Sequence, residues 1–203
     1  MKRLGILISG RGSNFQAIHD AIRDGRLEAE IAVVLSNRAS AEGLQIAKER
    51  GLNGVSLPSK GLDREVYDQS VIEELQRHRV DLVCLAGFMR LLSARFVRAF
   101  AGRILNIHPS LLPAFPGLDA QHQALEHGVK VAGCTVHFVD EGTDTGPIIA
   151  QTAVELRDDD VEATLAERIL AEEHRLYPRV IRLLAEGRVQ REGRRVRIAP
   201  PYP

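Results

Sequence analysis

The sequence predicts an α/β fold: a mixed, mostly parallel sheet flanked by helices, with an antiparallel edge in the C-terminal half. Three observations predict it. The first half alternates short apolar runs with amphipathic stretches, the pattern of βαβ units. Three of those runs, Leu4 to Ile8, Ile31 to Leu35 and Leu82 to Ala86, are almost continuously apolar, as strands covered on both faces must be. The second half instead places two long strand-like segments in succession, Val131 to Val139 and Ile148 to Leu156, joined by a turn-rich loop, which suits an antiparallel edge.

The first run leads into a helix in which Phe15, Ile18 and Ile22 recur at spacings of three and four and which ends at Gly25. The run from Ile31 follows, then a helix from about Ala41 to Gly51, where glycine suits a left-handed cap. A further strand is expected before the helix in which Tyr67, Val71 and Leu75 recur at four beside Ile72, so the order through Ala86 is β-α-β-α-β-α-β. A strand around Arg103 to Ile107, a proline-rich loop and a short helix near Gln121 to His127 lead to the antiparallel pair. Asp158, Asp159 and Asp160 precede a helix carrying Val161, Leu165 and Ile169, and carboxylates there are expected to cap it and suit its dipole. Pro178 is expected to interrupt or kink that helix. From Arg188 to Arg197, Val189, Val196 and Ile198 alternate with charges, which predicts a solvated hairpin turning at Glu192-Gly193. The whole is a Rossmann-like arrangement. With 203 residues, a single domain over 1-203 is expected, built from halves of about 1-100 and 101-203.

Composition narrows the function classes. Twenty-seven basic residues balance twenty-seven acidic ones, so no global field favours nucleic acid, and any phosphate must be met locally. No apolar run approaches the roughly 20 residues that cross a bilayer. No secretory signal is read at Met1-Lys2-Arg3, and a cytoplasmic protein with no membrane partner is expected. Cys84 and Cys134 lie in apolar runs, and neither a disulfide nor a thiolate metal site is suggested.

Three segments carry chemistry. Ser9-Gly10-Arg11-Gly12-Ser13-Asn14 lies between the first strand and helix, where free backbone N–H groups bind phosphate; it equally suits a tight turn with Ser13 or Asn14 as N-cap. It is not a dinucleotide fingerprint, because the third glycine falls on Phe15 and the second strand ends in Ser36-Asn37 without an acid. In Leu105-Asn106-Ile107-His108-Pro109, the period of two puts Asn106 and His108 on one face of a strand. An amide N–H and an imidazolium both suit an oxygen gaining negative charge, although a lone His at a strand end also serves structure. Pro109, Pro113 and Pro116 stiffen the loop that follows. Finally, Asp140-Glu141-Gly142-Thr143-Asp144 is a hydrophilic connection, a hard-cation site, or the source of a carboxylate that pairs with His108 and favours its charged form. An EF-hand lacks its twelfth-position Glu here, no H-E-x-x-H motif exists, and no metal is expected.

At these residues, and at Leu85 through Arg90, Thr135 through Asp140, Asp144-Thr145-Gly146-Pro147, Glu173-His174 and Leu176-Tyr177-Pro178, the sequence resembles the phosphoribosylglycinamide formyltransferases, folate-dependent enzymes of purine biosynthesis. The resemblance implies transfer of the formyl group of 10-formyltetrahydrofolate, a co-substrate of one-carbon metabolism, to the amine of 5-phosphoribosylglycinamide. It implies Asn106, His108 and Asp144 as the catalytic trio; Gly12, Ser13 and Asn14 as the ribose phosphate cradle; and Glu173 as the acid receiving the glycinamide end. It further implies folate contacts at Arg64, Met89, Arg90, Leu91, Leu92 and Asn106, with the loop from Val139 to Asp144, which carries Asp140, Glu141 and Asp144, closing around the pterin. Some relatives carry histidines where this chain has Asp119-Ala120-Gln121. A monomer or homodimer acting on small molecules is implied.

Two relatives in the same chemistry are disfavoured on length, the methionyl-tRNA formyltransferase with its further tRNA domain and the formyltetrahydrofolate hydrolase with its leading regulatory domain. A non-catalytic α/β module binding a phosphorylated metabolite at Ser13 leaves Asn106, His108 and Asp144 without a task.

Overall fold

The alternation of the first half is realised as β1 (Lys2–Ile8), α1 (Ser13–Arg23), β2 (Ala29–Ser36), α2 (Glu42–Glu49), β3 (Gly54–Ser56), α3 (Arg64–Arg77), β4 (Leu82–Leu85), α4 (Ala94–Ala99) and β5 (Ile104–His108). The chain continues through α5 (Ala120–Glu126), β6 (Val131–Phe138), β7 (Ile148–Glu155), α6 (Glu162–Ala185), β8 (Val189–Glu192) and β9 (Arg195–Ile198). These elements come from a computed structural model that describes residues 1–200. β1 to β7 form one seven-stranded sheet in the order β3-β2-β1-β4-β5-β6-β7, and β8 and β9 form a separate ribbon. By its internal contacts the chain divides into two compact units, Met1–Asn106 and a second beginning at Ile107. Among the described residues no helix is long and apolar enough to cross a membrane.

In the first unit β1 pairs in parallel with β2 and β4, β2 with β3, and β4 with β5. Helices cover both faces of such a sheet, so Leu4, Ile6, Leu7, Val33, Val34, Leu35, Val83 and Cys84 are all buried. α1 buries Phe15, Ile18 and Ala21, and α3 buries Tyr67, Val71, Ile72 and Leu75, as their spacing predicts. Each large side chain so buried stabilises the fold by about 1.5–3 kcal/mol before entropy is counted. The carboxyl ends of β1, β2 and β4 lead into the loops at Ser9, Asn37 and Ala86, the positions from which open α/β sheets bind ligands. The strand expected between α2 and α3 is the short β3. α4, six residues capped by Ser93, is too short for periodicity to reveal.

In the second unit β6 and β7 are antiparallel, with Val131 opposite Glu155. Exposed positions Gln151, Ala153 and Glu155 alternate with the more shielded Thr152 and Val154 along β7, while β6 is buried almost throughout. α6 packs on both strands through a face that includes Leu165, Ile169, Leu176, Tyr177, Val180 and Ile181. Three expectations are corrected here. The acidic run does not cap α6: Val161 is the N-cap residue and its N–H donates to Thr164 Oγ1 at 3.1 Å, while Asp160 accepts from Arg157 N and Thr164 Oγ1 and pairs with Arg168. Pro178 does not interrupt the helix, which runs unbroken from Glu162 to Ala185, because the packed apolar face outweighs one missing N–H. The ribbon turns one residue later than expected, at Gly193-Arg194, where Gly193 takes φ 61°.

Candidate active site

The loop after β1 is built by glycine. Gly12 takes φ 70° as the N-cap of α1, and a Cβ there would lie 3.2 Å from the Phe15 ring. Ser13 and Asn14 are therefore the first two helical residues rather than the cap, and their backbone N–H groups belong to the open first turn that suits an anion. Beneath this turn Ser9 Oγ donates to Asn37 Oδ1 at 2.6 Å and accepts from Met89 N at 2.8 Å, and Asn37 Nδ2 donates to Ser59 Oγ at 3.2 Å. All three polar side chains are buried. One hydroxyl thus ties the glycine loop to the segment after β4.

That segment presents Met89 and Leu91, 60% and 59% exposed, on either side of Arg90, whose guanidinium lies 4.6 Å from the centre of the Tyr67 ring. Arg64 is the exposed first residue of α3, and Asp63 caps that helix by accepting from Glu65 N at 2.8 Å. Exposed apolar side chains beside Arg90 suit a ligand with an apolar body and an anionic group.

β5 carries Asn106, half-buried, and two residues on His108, buried. In the second unit both nitrogens of His108 face acceptors: Nε2 is 2.9 Å from the Phe115 carbonyl, and Nδ1 is 3.4 Å from Asp144 Oδ2. Both contacts are made by donation only when both nitrogens carry protons. The proline-rich loop that follows is held from below. Thr135 Oγ1 donates to Ser110 O at 2.6 Å and accepts from Leu112 N, and Gln151 Nε2 donates to Leu112 O at 2.9 Å.

Asp144 sits at φ 54°, a left-handed position that glycine usually takes. Its Oδ2 accepts from Gly117 N at 2.9 Å, and its Oδ1 lies 3.6 Å from His137 Nε2. Burial works against its charge, but the His137 imidazole, the Gly117 N–H and the charge of His108 outweigh it and hold the carboxyl below its ordinary value. The loop is fixed locally as well. Asp140 Oδ1 accepts from Gly142 N at 3.1 Å and Thr145 Oγ1 at 2.6 Å, and a Cβ on Gly146 would lie 1.7 Å from the Phe138 carbonyl oxygen. Asp140 therefore serves its own loop, while Glu141 is exposed.

Glu173 is buried on α6 beside His174, whose imidazole pKa is lowered by burial. Cys134 has its thiol pushed up to about 12, chiefly by burial and then by Glu173, so it is no nucleophile near neutrality. The structure thus brings His108 and Asp144 together, as the sequence suggested, and adds a partner the sequence reading missed. His137 approaches the other oxygen of the same carboxylate and fixes its own Nδ1 at 2.8 Å from the Phe138 carbonyl. A histidine within the apolar run Cys134-Thr-Val-His-Phe138 was the available signal. The Phe115 carbonyl and Gly117 N–H are backbone groups and left none.

Residues 2–181 match the formyl transferase family. The phosphoribosylglycinamide formyltransferase of Bacillus subtilis is 44% identical over 185 residues, which cover 91% of this chain and 95% of that protein. The trifunctional purine biosynthetic protein adenosine-3 of Drosophila pseudoobscura pseudoobscura is 50% identical over 202 residues, 98% of this chain, and the chain spans only 15% of that protein's length. Among solved structures, glycinamide ribonucleotide transformylase 1 from Symbiobacterium toebii superposes with a TM-score of 0.96 at 57% identity, covering 98% of this chain and 95% of that one.

Proposed function

The chain belongs to the formyl transferase family, and from that premise we propose that it transfers the formyl group of 10-formyltetrahydrofolate to the amine of 5-phosphoribosylglycinamide, in the cytoplasm, for purine biosynthesis. The observation that carries the chemistry is the buried His108–Asp144 pair, 3.4 Å apart, at the end of the strand that bears Asn106. The neutral amine attacks the formyl carbon, forming a C–N bond and a tetrahedral centre with a negative oxygen and a positive nitrogen. Asn106 donates its amide N–H and His108 an imidazolium N–H to that oxygen. Asp144 pairs with His108 and, through water, takes the amine proton. The bond from carbon to folate N10 then breaks, and N10 receives a proton to give tetrahydrofolate. No metal is needed, because side chains meet both charges.

The remaining assignments follow the same reading. Gly12, Ser13 and Asn14 cradle the ribose phosphate at the first turn of α1, and Glu173 receives the glycinamide end. Arg64 and Met89–Leu92 contact the folate, with Asp140 and Glu141 on the loop that closes on the pterin. The chain acts as a single formyltransferase domain, as a monomer or homodimer. The test is to incubate the protein with both substrates and follow folate absorbance. Formyl transfer to the amine is the expected result; no change at micromolar enzyme overturns the reading, and formate release without the amine favours a hydrolase.

A further inference from the structure

We infer that Tyr67 and Asp68 of α3 are positioning residues for the segment Met89–Leu92, acting through Arg90 and Ser93. That this segment receives the formyl donor rests on the functional reading above; the mechanical link between helix and segment does not.

The segment from Ala86 to Ser93 has no regular structure and is held at two points. Near its start, Ser9 N donates to Gly87 O at 3.0 Å and Met89 N donates to Ser9 Oγ at 2.8 Å. At its end, Ser93 N donates to Asp68 Oδ2 at 2.6 Å, and Ser93 Oγ in turn accepts from Phe96 N as the cap of α4. A charge-assisted bond of that length within a buried site is a firm restraint, and both Asp68 and Ser93 are almost wholly shielded from solvent. Between the clamps Arg90 lays its guanidinium on the Tyr67 ring while Met89 and Leu91 face solvent.

The chemistry of the buried atoms separates this from ordinary core packing. The Tyr67 hydroxyl, Asp68 Oδ1 and Arg90 Nε are all buried without a hydrogen-bond partner among the described residues. A helix face needed only for burial would be more stable with Phe and an aliphatic residue at these two positions. A carboxylate that spends one oxygen on Ser93 N, next to a ring that carries Arg90, is instead what fixes the backbone and one side chain of an otherwise irregular segment. Ligand affinity rises when such a segment is already in its bound shape.

The experiment compares wild type with Asp68→Ala, Asp68→Asn, Tyr67→Leu and Tyr67→Phe. Steady-state constants are measured for each substrate separately, and amide hydrogen exchange is followed over residues 87–93. Asp68→Ala is expected to raise the KM for 10-formyltetrahydrofolate about tenfold, leave that for phosphoribosylglycinamide within about twofold, and speed exchange in the segment. Asp68→Asn, which keeps an acceptor for Ser93 N, is expected to recover most of the loss. Tyr67→Leu should raise the same KM severalfold, and Tyr67→Phe, which keeps the ring, should not. Unchanged exchange and an unchanged folate KM in a folded Asp68→Ala protein would overturn the inference, as would parallel rises in both KM values that Asp68→Asn does not rescue. If Asp68→Ala fails to fold, the contrast between Tyr67→Leu and Tyr67→Phe decides in the same way. Wild-type protein that transfers no formyl group would overturn the functional reading alone, and the exchange comparison would still decide the link between helix and segment.

Discussion

The glycine loop after β1 and the Asp144 loop after β6 both depend on a left-handed residue, but they fill it differently. In the first, Gly12 takes φ 70° at no steric expense, and the loop offers backbone N–H groups. In the second, Asp144 itself takes φ 54°, which costs an L-residue on the order of 1 kcal/mol, and the loop offers a side chain. The difference separates two kinds of site. A loop that binds through its backbone is best served by the residue without a side chain, whereas a loop that must present a carboxylate tolerates strain and is braced elsewhere. Here the braces are Gly117 N, Asp140 and the close approach of Gly146 to Phe138.

The contrast makes distinct forecasts for the two loops. Removing the group that the strained loop serves should have the largest effect: His108→Ala is expected to lower kcat by on the order of a hundredfold to a thousandfold, in steady-state formyl transfer, with little change in KM. The glycine loop should respond through binding and stability instead. Gly12→Ala places a Cβ in the left-handed region and 3.2 Å from Phe15, so it should cost about 1 kcal/mol in chemical denaturation and raise the KM for phosphoribosylglycinamide severalfold while kcat is largely kept. A loss confined to kcat would erase the distinction. The smallest effect concerns acid stability. The carboxyl of Asp144 is held below its ordinary value, so its charged form stabilises the fold above the unfolded pKa, about 3.9, and that contribution is lost as pH falls through the lower folded value. The stability difference between wild type and Asp144→Asn, followed by urea unfolding, should therefore shrink between pH 6 and pH 3; a constant gap would mean that the charge does not stabilise the loop.

The two loops also differ in how far they were legible beforehand. Local patterns carried the first: apolar runs, helical spacing and glycine placed β1, α1 and the turn between them, missing only the identity of the cap. β5 was equally plain, and its period of two aligned Asn106 with His108. The second loop was legible as an acidic turn, but its partners were not. Gly117 and Phe115 act through backbone atoms, and His137 reaches Asp144 across the turn between β6 and β7, contacts that no local spacing encodes. The errors share one cause. Pro178 and Asp158 to Asp160 were read by local propensity, and tertiary packing of α6 and the Asp160–Arg168 pair decided the outcome.

The central claim is that an ionised Asp144, held in a strained loop, keeps His108 competent for catalysis. Asparagine tolerates the left-handed backbone and is nearly isosteric with aspartate, so Asp144→Asn removes the charge with little disturbance of the loop. Formyl transfer measured at neutral pH should then show kcat reduced by about a hundredfold or more, with both KM values within about threefold of wild type. Turnover close to wild type in that variant would contradict the account.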